Sequence, residues 1–170
     1  DMVRDDNDGG TVRASARVVP SKGLTVEGVF ARLARSPDAR RTTGQVFAGY
    51  TASRGRAGFQ YAFQTRRPGA GSGLPDRDLS IYSGFGVVHV MPQRLSLFAR
   101  IDRHDGACPD GADIDYLPIS PDAPFTLTIA GVEYFLHPSV RISPNVEWVR
   151  YGAPSDPGTL RPGNDVVWRA

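Results

Sequence analysis

The densest run of side chains able to do chemistry lies between positions 102 and 115. It reads Asp-Arg-His-Asp-Gly-Ala-Cys-Pro-Asp-Gly-Ala-Asp-Ile-Asp. Asp105, Asp110, Asp113 and Asp115 offer the carboxylate oxygens that a hard cation such as Ca²⁺ takes. Their spacing departs from the calcium-binding helix-loop-helix pattern and no Glu closes it, so the run reads as a solvated acidic loop and no metal is expected. His104 and Cys108 stand in the same segment, yet a zinc site needs two more ligands at fixed geometry. His89 and His137 each stand alone in the sequence. Cys108 is the single cysteine, which excludes an internal disulfide and a cysteine-cluster metal site. The stretch Gly69-Ala-Gly-Ser-Gly73 lacks the spacing of a nucleophile elbow. It also fails the dinucleotide rule, because Leu74 takes the third glycine position. It reads as a flexible loop. Nothing here points to an enzyme or a cofactor.

The charge balance narrows the partners. Lys+Arg number 20 against 18 Asp+Glu, a net of +2, which lacks the basic footprint of a nucleic-acid partner. Only Lys22 among the basic residues is lysine. No apolar run approaches the roughly 18 residues of a membrane-spanning helix.

The dominant period is two, the mark of strands with two unlike faces. Nine stretches show it: 11–19, 24–35, 43–52, 57–66, 79–91, 95–103, 124–137, 140–151 and 165–170. In the first, Val12, Ala14, Ala16 and Val18 oppose Arg13, Ser15 and Arg17. In the fourth, Phe59, Tyr61 and Phe63 oppose Gln60, Gln64 and Arg66. In the sixth, Leu95, Leu97, Ala99 and Ile101 oppose Ser96, Arg100 and Asp102. In the eighth, Val140, Ile142, Val146 and Trp148 oppose Arg141, Ser143, Asn145 and Glu147, with Pro144 marking a bulge or an unpaired position. Glu133 shares the parity of Leu127 and Ile129. Either a bulge shifts the phase, or the face assignment in this stretch is wrong.

The connections alternate strictly. Short turns fall at 20–23, 53–56, 92–94 and 138–139, and longer polar segments at 36–42, 67–78, 104–123 and 152–164. Short turns on one rim and long loops on the other belong to a transmembrane β-barrel, whose tilted strands need about 9–11 residues. Tyr50, Tyr61, Tyr134, Trp148, Tyr151 and Trp168 are placed as an interfacial girdle would be. The expected fold is all-β: an antiparallel up-and-down meander of about nine strands forming one transmembrane β-barrel domain over 1–170. Residues 1–10 would be the tail of a preceding loop, and 104–123 the longest outer loop. Nine is odd, whereas single-chain bacterial barrels have even counts, so the chain is expected to be the C-terminal part of a larger barrel.

The segment Phe125-Thr-Leu-Thr-Ile-Ala-Gly-Val-Glu-Tyr-Phe-Leu-His-Pro-Ser-Val-Arg-Ile-Ser-Pro-Asn-Val-Glu-Trp-Val-Arg-Tyr151 resembles the penultimate hairpin of Gram-negative porin-like outer-membrane proteins. The resemblance covers roughly the last third of the chain and is architectural elsewhere. It departs at the end, where Ala170 stands in place of the family's terminal aromatic residue. It implies passive diffusion of small solutes across the outer membrane, with the lipid bilayer and small polar solutes as partners and no catalysis. A homo-oligomer or a larger membrane complex fits the same reading. The pore lining would then be Arg13, Arg17, Glu27, Gln45, Gln60, Gln64, Arg66, Arg100, Asp102, Arg141, Asn145, Glu147 and Arg169, whose arginine excess favours anions. The alternative is a non-enzymatic, periplasmic, membrane-associated sheet serving as an accessory subunit. The face carrying Val12, Phe59, Tyr61, Phe63, Leu97, Ile101, Ile142 and Trp148 separates the two: it meets lipid in one and a protein core in the other.

Overall fold

Four tight turns set the architecture. Lys22 and Gly23 join the first two strands, β1 (Thr11–Ser21) and β2 (Leu24–Ala34). Gly23 takes φ 85°, and a Cβ there would run into the Thr51 carbonyl oxygen, so glycine is required twice over. The turn at Ser53 and Arg54 joins β3 (Arg40–Ala52) to β4 (Gly55–Arg67). Pro92, Gln93 and Arg94 join β5 (Arg77–Met91) to β6 (Leu95–Asp105), with Gln93 at φ 61°. A fourth turn closes β7 (Phe125–His137) onto β8 (Val140–Ile142), which continues into β9 (Asn145–Tyr151). The last strand is β10 (Asp165–Arg169). The structure, a computed structural model, describes residues 10–34, 39–69, 71–73, 75–106, 123–137, 139–154 and 158–169.

Among the described residues the ten strands form one antiparallel sheet; β1 to β7 pair in chain order, β8 and β9 both pair with β7, and β10 pairs with β9. The expected ninefold count becomes ten because the eighth stretch divides at Ser143 and Pro144. That division leaves the register intact: Tyr134 lies opposite Ile142 and Gly131 opposite Asn145, with two residues between them on each strand. Proline has no N–H to give the ladder, but its carbonyl still accepts from Val132 N at 3.1 Å. So Pro144 sits at an unpaired position rather than a bulge. Among the described residues β1 pairs only with β2 and β10 only with β9, so the sheet is open.

Some element ends differ from expectation. His104 and Asp105 belong to β6 rather than to the long loop, β3 begins at Arg40, and β5 begins at Arg77. All of the expected loop tail at 1–10 except Gly10, and most of the loop at 104–123, lie outside the described residues.

The short turns form a staircase. Gly23 O accepts from Thr51 N at 2.8 Å, Arg54 O from His89 N at 2.8 Å, and Arg94 O from Phe135 N at 3.0 Å. Each turn thus docks against a strand that runs on past it, always in the same direction. Such a uniform stagger places the turns on one rim only if the strands lean.

Candidate functional site: the two faces of the sheet

Residues directly opposite one another across paired strands share a face. Following the register strand by strand sorts the molecule into two unlike surfaces.

The first surface is exposed and apolar. It carries Val12 and Val18 on β1, Val26 and Phe30 on β2, Val46 and Tyr50 on β3, and Phe59, Tyr61 and Phe63 on β4. It continues through Tyr82 and Val88, Leu97 and Ile101, Val132 and Tyr134, Ile142, Trp148, and Val166 and Trp168. These side chains are largely bare: Val12 is 65% exposed, Phe59 52% and Trp168 79%. Among the described residues charge reaches this face only at the long-connection end, through Arg32, Arg40, Arg67, Asp78, Arg103, Asp105 and Arg150. Below that rim the face is free of charge down to the short turns. On β4 the stretch from Gly55 to Phe63 covers roughly 27 Å along the strand at about 3.4 Å per residue, and only the uncharged Thr65 lies between it and Arg67 on this face. Aromatic rings mark it: Tyr61 and Tyr82 lie opposite each other with centroids 4.9 Å apart, and Arg150 sits over the Trp148 ring.

The rim itself is held by local ion pairs. Arg67 reaches Asp76 at 3.1 Å and Asp78 at 3.2 Å, and Arg103 reaches Asp105 at 2.9 Å. Asp105, one of the four carboxylates considered for Ca²⁺, is therefore engaged by arginine; Asp110, Asp113 and Asp115 lie outside the described residues, as does Cys108. Among the described residues no group of three or more His, Cys, Asp or Glu is placed to hold a metal ion.

The second surface is polar and partly covered. The register brings all thirteen sequence-selected residues, Arg13, Arg17, Glu27, Gln45, Gln60, Gln64, Arg66, Arg100, Asp102, Arg141, Asn145, Glu147 and Arg169, to this one face. Several are tied into small networks. Asp102 accepts from Ser83 Oγ and from Arg100 Nε at 2.7 Å, and both Asp102 and Ser83 are buried. Gln64 donates to Thr43 Oγ1 at 3.1 Å and accepts from Arg66 Nε at 2.5 Å, which fixes the plane of that guanidinium. Arg141 pairs with Glu133 at 3.1 Å and Arg169 with Glu147 at 2.8 Å.

The same face holds residues that sequence reasoning missed. Arg41 lies directly opposite Arg66, and Arg66 directly opposite Arg77, so three guanidinium side chains form a row across β3, β4 and β5. Arg41 and Arg77 sit at strand ends that read as loop, and no alternation marks them. Arg56, Glu133 and Asp165 also join this face. Like charges placed opposite one another oppose folding unless water or an anion screens them. Overall, arginines outnumber carboxylates on this surface.

The register settles one open choice about faces and corrects one expectation. Glu133 does share its face with Leu127 and Ile129, with no register shift between β6 and β7, so the two apolar residues belong to the polar side. With Phe125, Val149 and Ala123 they form a small core near the long connections. Tyr151 joins that core at 3% exposure, opposite Phe125, and donates to Asp165 Oδ2 at 3.2 Å. It therefore does not share a face with the other aromatics expected in the girdle; Tyr50, Tyr61, Tyr134, Trp148 and Trp168 lie together on the apolar face.

Rings on the polar side also cover backbone. Phe47 and Phe85 stack at 6.5 Å over Gly58, and Phe98 lies opposite and over Gly131. Glycine leaves the space that each ring fills, which stiffens the sheet where it would otherwise lack cross-strand packing. Compared with known proteins, the chain matches no protein family, no curated protein and no solved structure.

Proposed function

We propose that this sheet is wall of a porin-like outer-membrane β-barrel through which small polar solutes diffuse passively, with anions preferred. The observation that carries the reading is the charge-free apolar band on the exposed face, backed by a polar face with an arginine excess. Among the described residues no second layer covers that band. A contiguous apolar surface of this extent needs an apolar partner, and lipid supplies one along every strand at once.

The staircase of turns supports the same reading. The turns climb by about two residues per hairpin, roughly one per strand, and bringing them to one rim tilts the strands by about 40°. That is the lean at which sheets close into barrels. Closure joins the free edges of β1 and β10 directly or through further strands. The row of Arg41, Arg66 and Arg77 supplies the positive field expected of an anion path.

The test is reconstitution into planar lipid bilayers under a KCl gradient. Stepwise conductance with a reversal potential on the anion side is expected. Arg41→Glu with Arg77→Glu moves that potential toward cations. Absence of conductance, together with extraction from native membranes by alkaline carbonate, would overturn the reading. A second reading, an accessory sheet in a larger membrane complex, draws on the open edges of β1 and β10, which can accept partner strands. It predicts that the chain co-migrates with that complex and conducts nothing alone.

A further inference from the structure

At the short-turn end of the polar face lies a recess of about 730 Å³ between the β3–β4 turn, the β5–β6 turn and the end of β7. Its ionisable lining is uniformly basic: His89, Arg94 and His137. Its apolar wall is Pro92, Phe135 and Leu136. We infer that this recess binds a small organic anion, with a carboxylate or phosphate head on the three basic groups and an apolar body against that wall.

Three features make the recess a built one. Ser96, only 2% exposed, holds His89 through a 2.9 Å contact between Oγ and Nδ1, which leaves Nε2 as the ring's other polar atom. His137 Nδ1 accepts from Ser139 N at 3.3 Å, so its neutral ring carries the proton on Nε2 as a donor. The Arg94 carbonyl accepts from Phe135 N, which ties the turn bearing the guanidinium to the strand bearing the apolar wall. That turn is completed by Gln93 in the left-handed region, as tight hairpin turns commonly require. The nearby carboxylate, Glu133, lies opposite Ser96 on β7, does not line the recess and is already paired with Arg141. Among the described residues that line the recess, an anion therefore meets donors without a competing acid.

The contact between Ser96 and His89 does not make a nucleophile. The hydroxyl is buried, and among the described residues no carboxylate bonds the imidazole.

The inference does not require the sheet to close, so equilibrium binding tests it separately from conductance. The full chain, folded in detergent micelles, is titrated calorimetrically with phenyl phosphate, benzoate, inorganic phosphate and phenol. Phenyl phosphate or benzoate is expected to bind more tightly than inorganic phosphate, which lacks the apolar body, and phenol not to bind. Which of the two organic anions binds more tightly identifies the head group. Arg94→Gln, in an exposed turn held by backbone bonds, and His89→Gln each weaken binding about tenfold, the loss expected for one charge-assisted hydrogen bond. Lys22→Gln, on a different short turn, leaves it unchanged. Equal binding of phenol and phenyl phosphate, or affinity unaltered in both Arg94→Gln and His89→Gln, would overturn the inference.

Discussion

The two faces of this sheet share every strand, yet they obey opposite rules. On β4, Phe59, Tyr61 and Phe63 point to a surface without a hydrogen-bonding partner, while Gln64 and Arg66 on the other side are fixed by bonds to named neighbours. One face tolerates apolar exposure and excludes charge below its rim. The other tolerates charge where a partner, water or an ion answers it. The difference teaches that one sheet can carry two chemistries at once: on the proposed reading the polar side would set specificity and the apolar side where the sheet resides.

The sharpest way to break the comparison is to put charge in the band. Ala99→Arg, midway between Leu97 and Ile101, is expected to lower folding stability in lipid vesicles by about 2–4 kcal/mol. Gln60→Lys on the opposite face changes it by no more than about 0.5 kcal/mol. Equal costs for the two would mean that both faces meet water.

Next in size is the buried polar pair. Asp102→Ala leaves the Ser83 hydroxyl without its acceptor and Arg100 without its carboxylate. Denaturant titration should show a loss of about 1–3 kcal/mol. A smaller effect follows from Gly58→Ala, whose new methyl would stand 2.6 Å from the Phe85 ring and 3.0 Å from Phe47. Moving those rings should cost about 1 kcal/mol, read as a drop in the unfolding midpoint together with altered near-ultraviolet circular dichroism. Least of all, Arg169→Gln removes an ion pair whose arginine is half exposed. A change below about 1 kcal/mol is expected, shrinking further in high salt.

Much of the fold was legible because a strand's two faces are written into the parity of its residues. The alternation in 95–103 placed Leu97 and Ile101 on one side and Arg100 and Asp102 on the other, and the register agrees. Glycine and proline marked the turns, and their positions set the rhythm of short and long connections. The polar face was legible for the same reason, down to Arg169 at the end of β10.

What parity does not encode is which residue stands beside which. The row of Arg41, Arg66 and Arg77 brings together residues far apart in the chain, two of them in strand ends with no apolar alternation to announce them. Leu127, Ile129 and Tyr151 carried an apolar or amphipathic identity that suited either face. Only pairing with Asp102, Glu147 and Phe125 assigned them to the polar one. Pro144 announced an interruption, but the constant register across it came from the ladder on either side. The recess around His89, Arg94 and His137 arises because each turn stops short of the strand beside it. The sequence by itself determined the strands, their faces and their turns, since these follow from local sterics and the period of two. The tertiary structure alone decided the register and the stagger, because hydrogen bonds between strands, not within them, fix which side chains meet.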